Sequence, residues 1–314
     1  MEVNKIIQGD CLEVLKTIPD ESINCIVTSP PYWSLRDYGV EGQLGQEKTF
    51  QEYINKLCDI FDEVKRVLRK DGTCFINIGD TYIGNRATRH KGYVDPKYPN
   101  GRIGGDCEPI GLKQTIESKN LTLIPFRFAI EMQNRGWIVR NTIIWHKPSS
   151  MPESVKDRFT VDFEYVFFFV KSQKYYFEQQ LDEFALSTIK KAKRGVYFSK
   201  NSKIMSGNYA MHGDKTVKLY QKIKSGEIKG RNKRCVWSIA SKPFRGAHFA
   251  IFPPDLIEPM IKAGCPKDGI VLDPFIGSGT TAVVAKKLFR NYVGIELNPK
   301  YIKMAEERLT RILL

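Results

Sequence analysis

GIVLDPFIGSGTTAVVAKKL, residues 269–288, decides the fold. An apolar run, a cluster of glycines and a second run with helical spacing read as a strand, a tight turn and a helix. Gly277, Gly279 and Ala282 fit G-x-G-x-x-G/A, where missing side chains let a ligand approach the backbone and the helix N-terminus offers unpaired N–H groups. On its own the pattern fits a dinucleotide site or a bare turn. Two acids narrow it. Asp273 and Pro274 stand at the strand end just before the glycines, where a carboxylate repels a pyrophosphate and attracts a cationic group. Glu296 closes the next predicted strand, YVGIE, in position to accept hydrogen bonds from both hydroxyls of a ribose. A nucleoside with a positively charged amino acid tail satisfies both acids, and S-adenosylmethionine is such a molecule.

Outward from this turn the same alternation repeats. A strand at Lys5 to Gln8, a helix from Cys11 to Ile18 and a strand at Ile23 to Thr28 come first. FQEYINKLCDIFDEVKRVLRKDG then puts Tyr53, Leu57, Ile60, Phe61, Val64 and Leu68 on one helical face, with Gly72 as the stop and the strand TCFINIG after it. A helix near Ile124 to Asn134 and strands at Trp137 to Trp145 and Phe163 to Val170 follow. From Phe252, a helix over Asp255 to Ala263 leads into the glycine stretch, and a last helix runs from Pro299 to Ile312. Strands alternating with helices predict an α/β fold with a mainly parallel sheet covered on both faces. Residues 84–120 break the rhythm with Gly, Pro and charge, and read as a long loop of the kind that usually carries function.

The 314 residues carry a formal charge of +14, and the excess is local. Lys171 to Arg245 holds 18 Lys and Arg against 5 Asp and Glu, while the remainder is close to balance. Tyr175, Tyr176, Tyr197, Phe198, Tyr209 and Tyr220 interleave with these lysines. The segment therefore reads as an inserted module facing a polyanion, nucleic acid ahead of a merely solvated basic surface. Seven cysteines stand singly, without a CxxC pair, which argues against a disulfide framework and a zinc site, so no metal is expected. The start MEVNKIIQGDCLEVL lacks the features of a secretory signal, and no apolar run is long enough to span a bilayer. Both points place the chain in the cytoplasm, away from membranes.

A second stretch, TSPPYW at residues 28–33, follows the apolar run INCIV. Together TSPPYW and DPFIGSGTT resemble the amino-methyltransferases of DNA, enzymes of prokaryotic and phage modification systems. Their order, with S-P-P-Y first, a target recognition region in the middle and the glycine loop last, resembles the β group of that family. IIQGDCLEVL, IIWHKPSSMPESVKDRF and HFAIFPPDLIEPMI look like its further blocks, so the likeness covers almost the whole chain outside the basic insertion. The resemblance implies a Rossmann-like S-adenosylmethionine-dependent methyltransferase sheet in circularly permuted motif order. Residues 1–170 would form the catalytic part, 171–245 an inserted target recognition region, and 246–314 the cofactor-binding part of the same core. It further implies that Asp273, Pro274, Phe275, Gly277, Ser278, Gly279 and Thr280 hold the cofactor. Glu296, Leu297 and Asn298, the early pair Asp10 and Cys11, and Phe252 complete that set. Ser29, Pro30, Pro31 and Tyr32 are the implied catalytic residues.

The chemistry asked of S-P-P-Y follows from its target. An exocyclic amine on cytosine or adenine is a poor nucleophile because its lone pair is delocalised into the ring, so acceptors must hold its protons while nitrogen becomes tetrahedral. Consecutive prolines fix an extended backbone and remove two N–H donors, leaving carbonyls without competition. Ser29 and the Pro30 carbonyl are the candidate acceptors, and Tyr32 offers a ring against which an extruded base can stack. Trp33 is core or a lesser wall of that pocket. His146 and Lys147 resemble a block near the base, Arg158 a phosphate contact, and His248 a pocket or structural residue.

Among the resembled enzymes, Ser at the Ser29 position goes with cytosine N4 and Asp or Asn with adenine N6. The expectation is therefore N4 methylation of cytosine in duplex DNA by base flipping, with adenine N6 as the alternative. Methylation at cytosine C5 needs a Cys nucleophile in a Pro-Cys step, and only the reversed pair Cys265-Pro266 is present. Ser29 in place of Asn speaks against RNA or protein glutamine as substrate. The intact acids, glycines and S-P-P-Y speak against a catalytically inactive DNA-binding protein of the same fold. Permutation sets the first strand beside the Glu296 strand, which brings the termini together and places Asp10 near the cofactor's adenine amino group. Asp10 serves equally as an N-cap for the Cys11 helix. Expected partners are double-stranded DNA and a possible cognate restriction endonuclease, for a monomer or homodimer.

Overall fold

The computed structural model describes residues 1–35, 39–40, 42–83, 93–94, 103–104, 116–150, 152–194, 218–241 and 252–312. An eight-stranded sheet runs through the larger of two compact units, residues 1–178 with 235–314. Its spatial order is β1 (Lys5–Gln8), β12 (Asn291–Glu296), β11 (Ile270–Asp273), β2 (Ile23–Thr28), β3 (Leu68–Ile78), β7 (Phe163–Val170), β6 (Ile138–His146) and β10 (Val236–Ser238). Neighbours are parallel except at β7, which runs antiparallel to both β3 and β6. As the permuted order requires, β1 pairs with β12, Lys5 opposite Val293 and Gln8 opposite Glu296.

Side chains alternate across this sheet with period two. Cys74, Ile76, Phe167 and Phe169 point to a face covered by α1 (Cys11–Thr17), α2 (Phe50–Val67) and α3 (Ile124–Asn134), where Leu15, Phe61 and Phe128 complete one core. Phe75, Val166 and Phe168 point to the other, where Leu256, Ile261, Val284 and Leu309 come from α5 (Pro254–Gly264), α6 (Thr280–Lys287) and α7 (Pro299–Thr310). YVFFFV is apolar throughout because β7 is buried on both sides. The connection after β11 thus passes through α6 on one face, while that after the adjacent β2 passes through α2 on the other. Divergent connections from neighbouring parallel strands open a crevice at the strands' carboxyl ends.

Three expectations are corrected. Helix α2 stops at Val67 rather than running to Gly72, because the chain turns extended at Leu68, which is fully buried. Gly72 makes room for it, since a Cβ there would lie 2.5 Å from Leu68 Cδ1. The second compact unit is Gln179–Arg234, narrower than 171–245. Val236–Ser238 is an edge strand of the main sheet, and Tyr175 packs edge-on against Phe168 and accepts from Arg140 at 2.9 Å, so it belongs to the sheet's core rather than to a basic face. Within the second unit β8 (Leu181–Asp182) pairs with β9 (Arg231–Asn232), and α4 (Leu186–Arg194) is helical. Most of the predicted loop 84–120 lies outside the described residues, apart from the small ladder of β4 (Tyr93–Val94) and β5 (Ile103–Gly104) and residues 116–120. Among the described residues no helix is long and apolar enough to cross a membrane, and no cluster of His, Cys, Asp and Glu is suited to a metal ion.

Candidate active site

The carboxyl ends of β1, β12, β11 and β2 converge on a cavity of about 800 Å³. Ser29, Pro30, Pro31 and Tyr32 enter it after β2, Pro274, Phe275, Gly277, Ser278 and Thr280 after β11, and Glu296, Leu297 and Asn298 after β12. Asp10 and Cys11 line it after β1, and Phe252 ahead of α5. Sequence motifs about 240 residues apart thus share one wall, because their strands are neighbours in the sheet.

Two expected cofactor residues stand elsewhere. Asp273 is 1% exposed and does not line the cavity. One carboxylate oxygen accepts from the Thr28 hydroxyl at 2.6 Å and the Phe275 N–H at 3.1 Å, the other from the Thr281 hydroxyl at 2.6 Å. Its acceptors are turned toward these three donors, and it bolts the end of the strand before S-P-P-Y to the glycine turn. Burial pushes its carboxyl up to about 6, against these three donors. Gly279, the other absentee, sits at φ +81° where a Cβ would lie 2.6 Å from that of Ala305, so it serves the close packing of α6 on α7.

At the glycine end, Glu296 accepts from Gly277 N–H at 2.9 Å and Asn298 N–H at 2.8 Å, and burial raises its pKa. Asp10 caps α1 by accepting from Leu12 and Glu13 N–H groups while also lining the cavity, so its two expected roles are compatible. The Cys11 thiol is pushed up to about 12 by burial and is no nucleophile. Arg308, which sequence reasoning missed, reaches under the loop from α7 and donates to Ser278 O at 2.6 Å, Ser278 Oγ at 2.9 Å and Thr280 Oγ1 at 3.0 Å. Among the described residues five carboxylates and two lysines line the cavity, and the lysines Lys56 and Lys147 are paired with Glu47 and Glu164. This excess of acids among the described residues, inside a chain of +14, favours a small cation over a phosphate.

At the other end, Tyr53 donates to the Pro31 carbonyl at 2.9 Å, and no donor among the described residues is placed on the Pro30 carbonyl. The Tyr32 ring lies against Gly79, where a Cβ would stand 2.6 Å from Cε2. Its hydroxyl is 2.7 Å from Glu164 Oε2, 3.2 Å from Asn77 Oδ1 and 3.3 Å from Ser29 Oγ, and its phenol pKa is raised well above the usual value, foremost by burial and then by the Glu164 charge. Asn77 Nδ2 donates to Glu164 at 3.0 Å, and Lys147 closes the group through an ion pair with Glu164. Glu164 and Asn77 were also missed, although a lone acid in FEYVFFFV and a lone amide in the buried run CFINI were a signal. Trp33 is core, its indole N–H on Glu47 O at 3.0 Å. His146 does not line the cavity and faces Ser238 and Asp162, whereas Arg158 pairs with Glu153 and stacks 4.0 Å over the Tyr82 ring. His248 lies outside the described residues.

Comparison with known proteins supplies independent findings. A family model described as DNA methylase matches residues 23–307. The type II methyltransferase M.XycI of Xanthomonas campestris pv. cyanopsidis is 42% identical over 308 residues, covering 97% of this chain and 87% of its own. M.Cfr9I of Citrobacter freundii is likewise 42% identical, with the same coverages. Among solved structures, TTHA0409 of Thermus thermophilus, complexed with S-adenosyl-L-methionine, superposes with a TM-score of 0.59 at 23% identity, covering 98% of this chain and 94% of its own. PvuII DNA methyltransferase (cytosine-N4-specific) gives 0.58 at 22%, covering 99% and 92%.

Proposed function

The chain belongs to the DNA methylase family, and we propose that within it the reaction is transfer of a methyl group from S-adenosylmethionine to the N4 amine of a cytosine flipped out of duplex DNA. The observation that carries this reading is Ser29, a hydroxyl in the clamp position, which lines the same cavity as the glycine loop beside a Pro30 carbonyl that no donor among the described residues occupies. The cofactor supplies an activated methyl group on a sulfonium. Its fit rests on the acid-lined walls, with Glu296 for the ribose diol, Asp10 for the adenine amine, and Phe252 and Phe275 as apolar sides. Ser29 Oγ and Pro30 O accept the two amine protons, which localises the nitrogen lone pair. With the donor held against Glu296 and Asp10, that pair would form the N–C bond as the S–C bond broke, the donor would leave as a neutral thioether with the bonding electrons, and the surplus amine proton would pass to solvent. Such a transfer needs position and polarity more than a strong base.

The basic unit Gln179–Arg234 serves as the target recognition region, and a cognate restriction endonuclease is the fitting partner in the cell. DNA affinity should then fall steeply with added salt. The decisive experiment incubates the protein with S-adenosylmethionine and mixed-sequence duplex DNA, digests to nucleosides and weighs the products. N4-methylcytosine supports the full reading. N6-methyladenine would keep the enzyme and overturn the inference from Ser29.

A further inference from the structure

A serine hydroxyl is both donor and acceptor. If it is to hold an amine proton, its own proton must point elsewhere, and the prolines do nothing to decide that. The side chains behind the clamp do. Glu164 is the terminus of the network: it accepts from Lys147, from Asn77 Nδ2 at 3.0 Å and from the Tyr32 hydroxyl at 2.7 Å. Asn77 is fixed in this orientation, because the same Nδ2 also donates to Tyr165 O at 3.1 Å. The Tyr32 proton goes to the carboxylate, the shorter and charged acceptor, rather than to Asn77 Oδ1 at 3.2 Å. The phenol oxygen is then left to accept, and the Ser29 hydroxyl donates to it across 3.3 Å. This is the longest link, and such contacts in ligand-free sites commonly tighten when substrate arrives.

Resting on the reading of Ser29 as an amine acceptor, we propose that Glu164, acting through Tyr32, is a positioning residue that fixes the direction of the Ser29 hydroxyl so that its lone pairs face the substrate amine. No proton is transferred along the chain. Tyr32 therefore has two separable parts, a ring for the base and a hydroxyl for Ser29. An Asp in the Ser29 position would need no such device, since a carboxylate only accepts.

The test compares wild type, Tyr32→Phe, Glu164→Gln and the double variant in single-turnover methyl transfer at saturating donor and DNA, with donor and DNA affinities measured separately. Tyr32→Phe keeps the ring, so affinities should hold within about twofold while the rate falls about 10- to 100-fold, the range of one hydrogen bond to a charged group. The double variant should be no slower than the slower single variant, because one chain is cut twice. A wild-type rate in Tyr32→Phe, a loss confined to affinity, or multiplying losses in the double variant would overturn the proposal. A readout independent of turnover uses protein labelled with 13C at tyrosine Cζ. The Tyr32 signal, assigned by its absence in Tyr32→Phe, should move in Glu164→Gln, and no movement overturns the proposal whatever the activity. Product analysis on the wild type runs alongside. A blank there would sink the proposed function by itself, while the Tyr32 signal still decides whether Glu164 holds the hydroxyl.

Discussion

Replacing Asp273 by Asn should make the protein more stable relative to wild type as pH rises. The carboxyl is 1% exposed, and burial moves it from the ordinary 3.8 to about 6. Between those values the unfolded chain has released the proton and the folded chain retains it, so the folded form binds more protons and wild-type stability declines as pH increases. Each pH unit is worth about 1.4 kcal/mol. From pH 4.5 to 7.5, where the folded carboxyl completes its titration, the variant should gain about 2 kcal/mol on wild type. Asn can preserve the local geometry: its oxygen keeps Thr28 and the Phe275 N–H, its amide donates to the Thr281 oxygen, and the Thr281 hydroxyl turns toward Val27 O, 3.5 Å away. Urea unfolding followed by tryptophan fluorescence reports the right unit, since Trp33, Trp137, Trp145 and Trp237 are all buried within the sheet-bearing part. A difference between the two proteins that stays flat across this range, or that shrinks as pH rises, would refute the reasoning and mean that the three donors compensate the buried charge in full. Because Asp273 lies outside the cavity, the variant's donor affinity should change by less than about tenfold.

Glu296→Ala removes an acceptor that faces the cavity and also holds two loop N–H groups, so calorimetric affinity for S-adenosylmethionine should fall about 10- to 100-fold, and an unchanged affinity would remove Glu296 from the cofactor site. Gly279→Ala forces a Cβ to within 2.6 Å of that of Ala305 at a positive φ, and should lower unfolding free energy by about 1–3 kcal/mol in denaturant titration; a neutral result would mean that α6 and α7 part without strain. Gly79→Ala pushes on the Tyr32 ring, and should slow methyl transfer in a single-turnover assay while donor affinity stays within about twofold; equal losses in both would place Tyr32 in the cofactor's half of the cavity.

The sequence was most informative where backbone periodicity and missing side chains carry the signal. The sheet follows from apolar runs and glycines, the pairing of β1 with β12 from the permuted order that the family resemblance implies, and all but two of the cofactor and catalytic residues that the resemblance singles out line the cavity. What stayed hidden depends on which way a side chain turns once its strand has neighbours. Asp273 ends β11, and nothing in the run GIVLD says whether its carboxylate faces the cavity or Thr28 on the adjacent strand. Glu164 and Asn77 were visible as polar residues in buried apolar runs, yet they meet each other and Tyr32 only through the pairing of β3 with β7 and with β2, which has no sequence spacing of its own. Arg308 sits in α7 among exposed charges, and only the tertiary approach of that helix to the glycine loop gives it a function. The early end of α2 follows the same logic, because burying Leu68 outweighs one more turn of a helix whose pattern would have allowed it.

The cofactor half and the clamp half, though separate in sequence, do not form separate structures. β11 lies between β12 and β2, so the strand that leads into the glycine turn has the clamp strand as one of its two hydrogen-bonding neighbours. Cross-links reinforce that pairing at both ends: Asn24 accepts from Ile270 N–H at 2.9 Å where β11 begins, and Thr28 donates to Asp273 at 2.6 Å where it ends. On the far side β1 completes β12, with Asn4 N–H on Tyr292 O at 2.7 Å. Strands from residues 1–30 thus flank both sides of the pair formed by residues 270–296. The contact between the two, Thr28 to Asp273, immediately precedes both Ser29 and Pro274. The S-P-P-Y segment and the glycine turn therefore leave the sheet from neighbouring strand ends joined by a short buried hydrogen bond, although they lie near opposite ends of the chain.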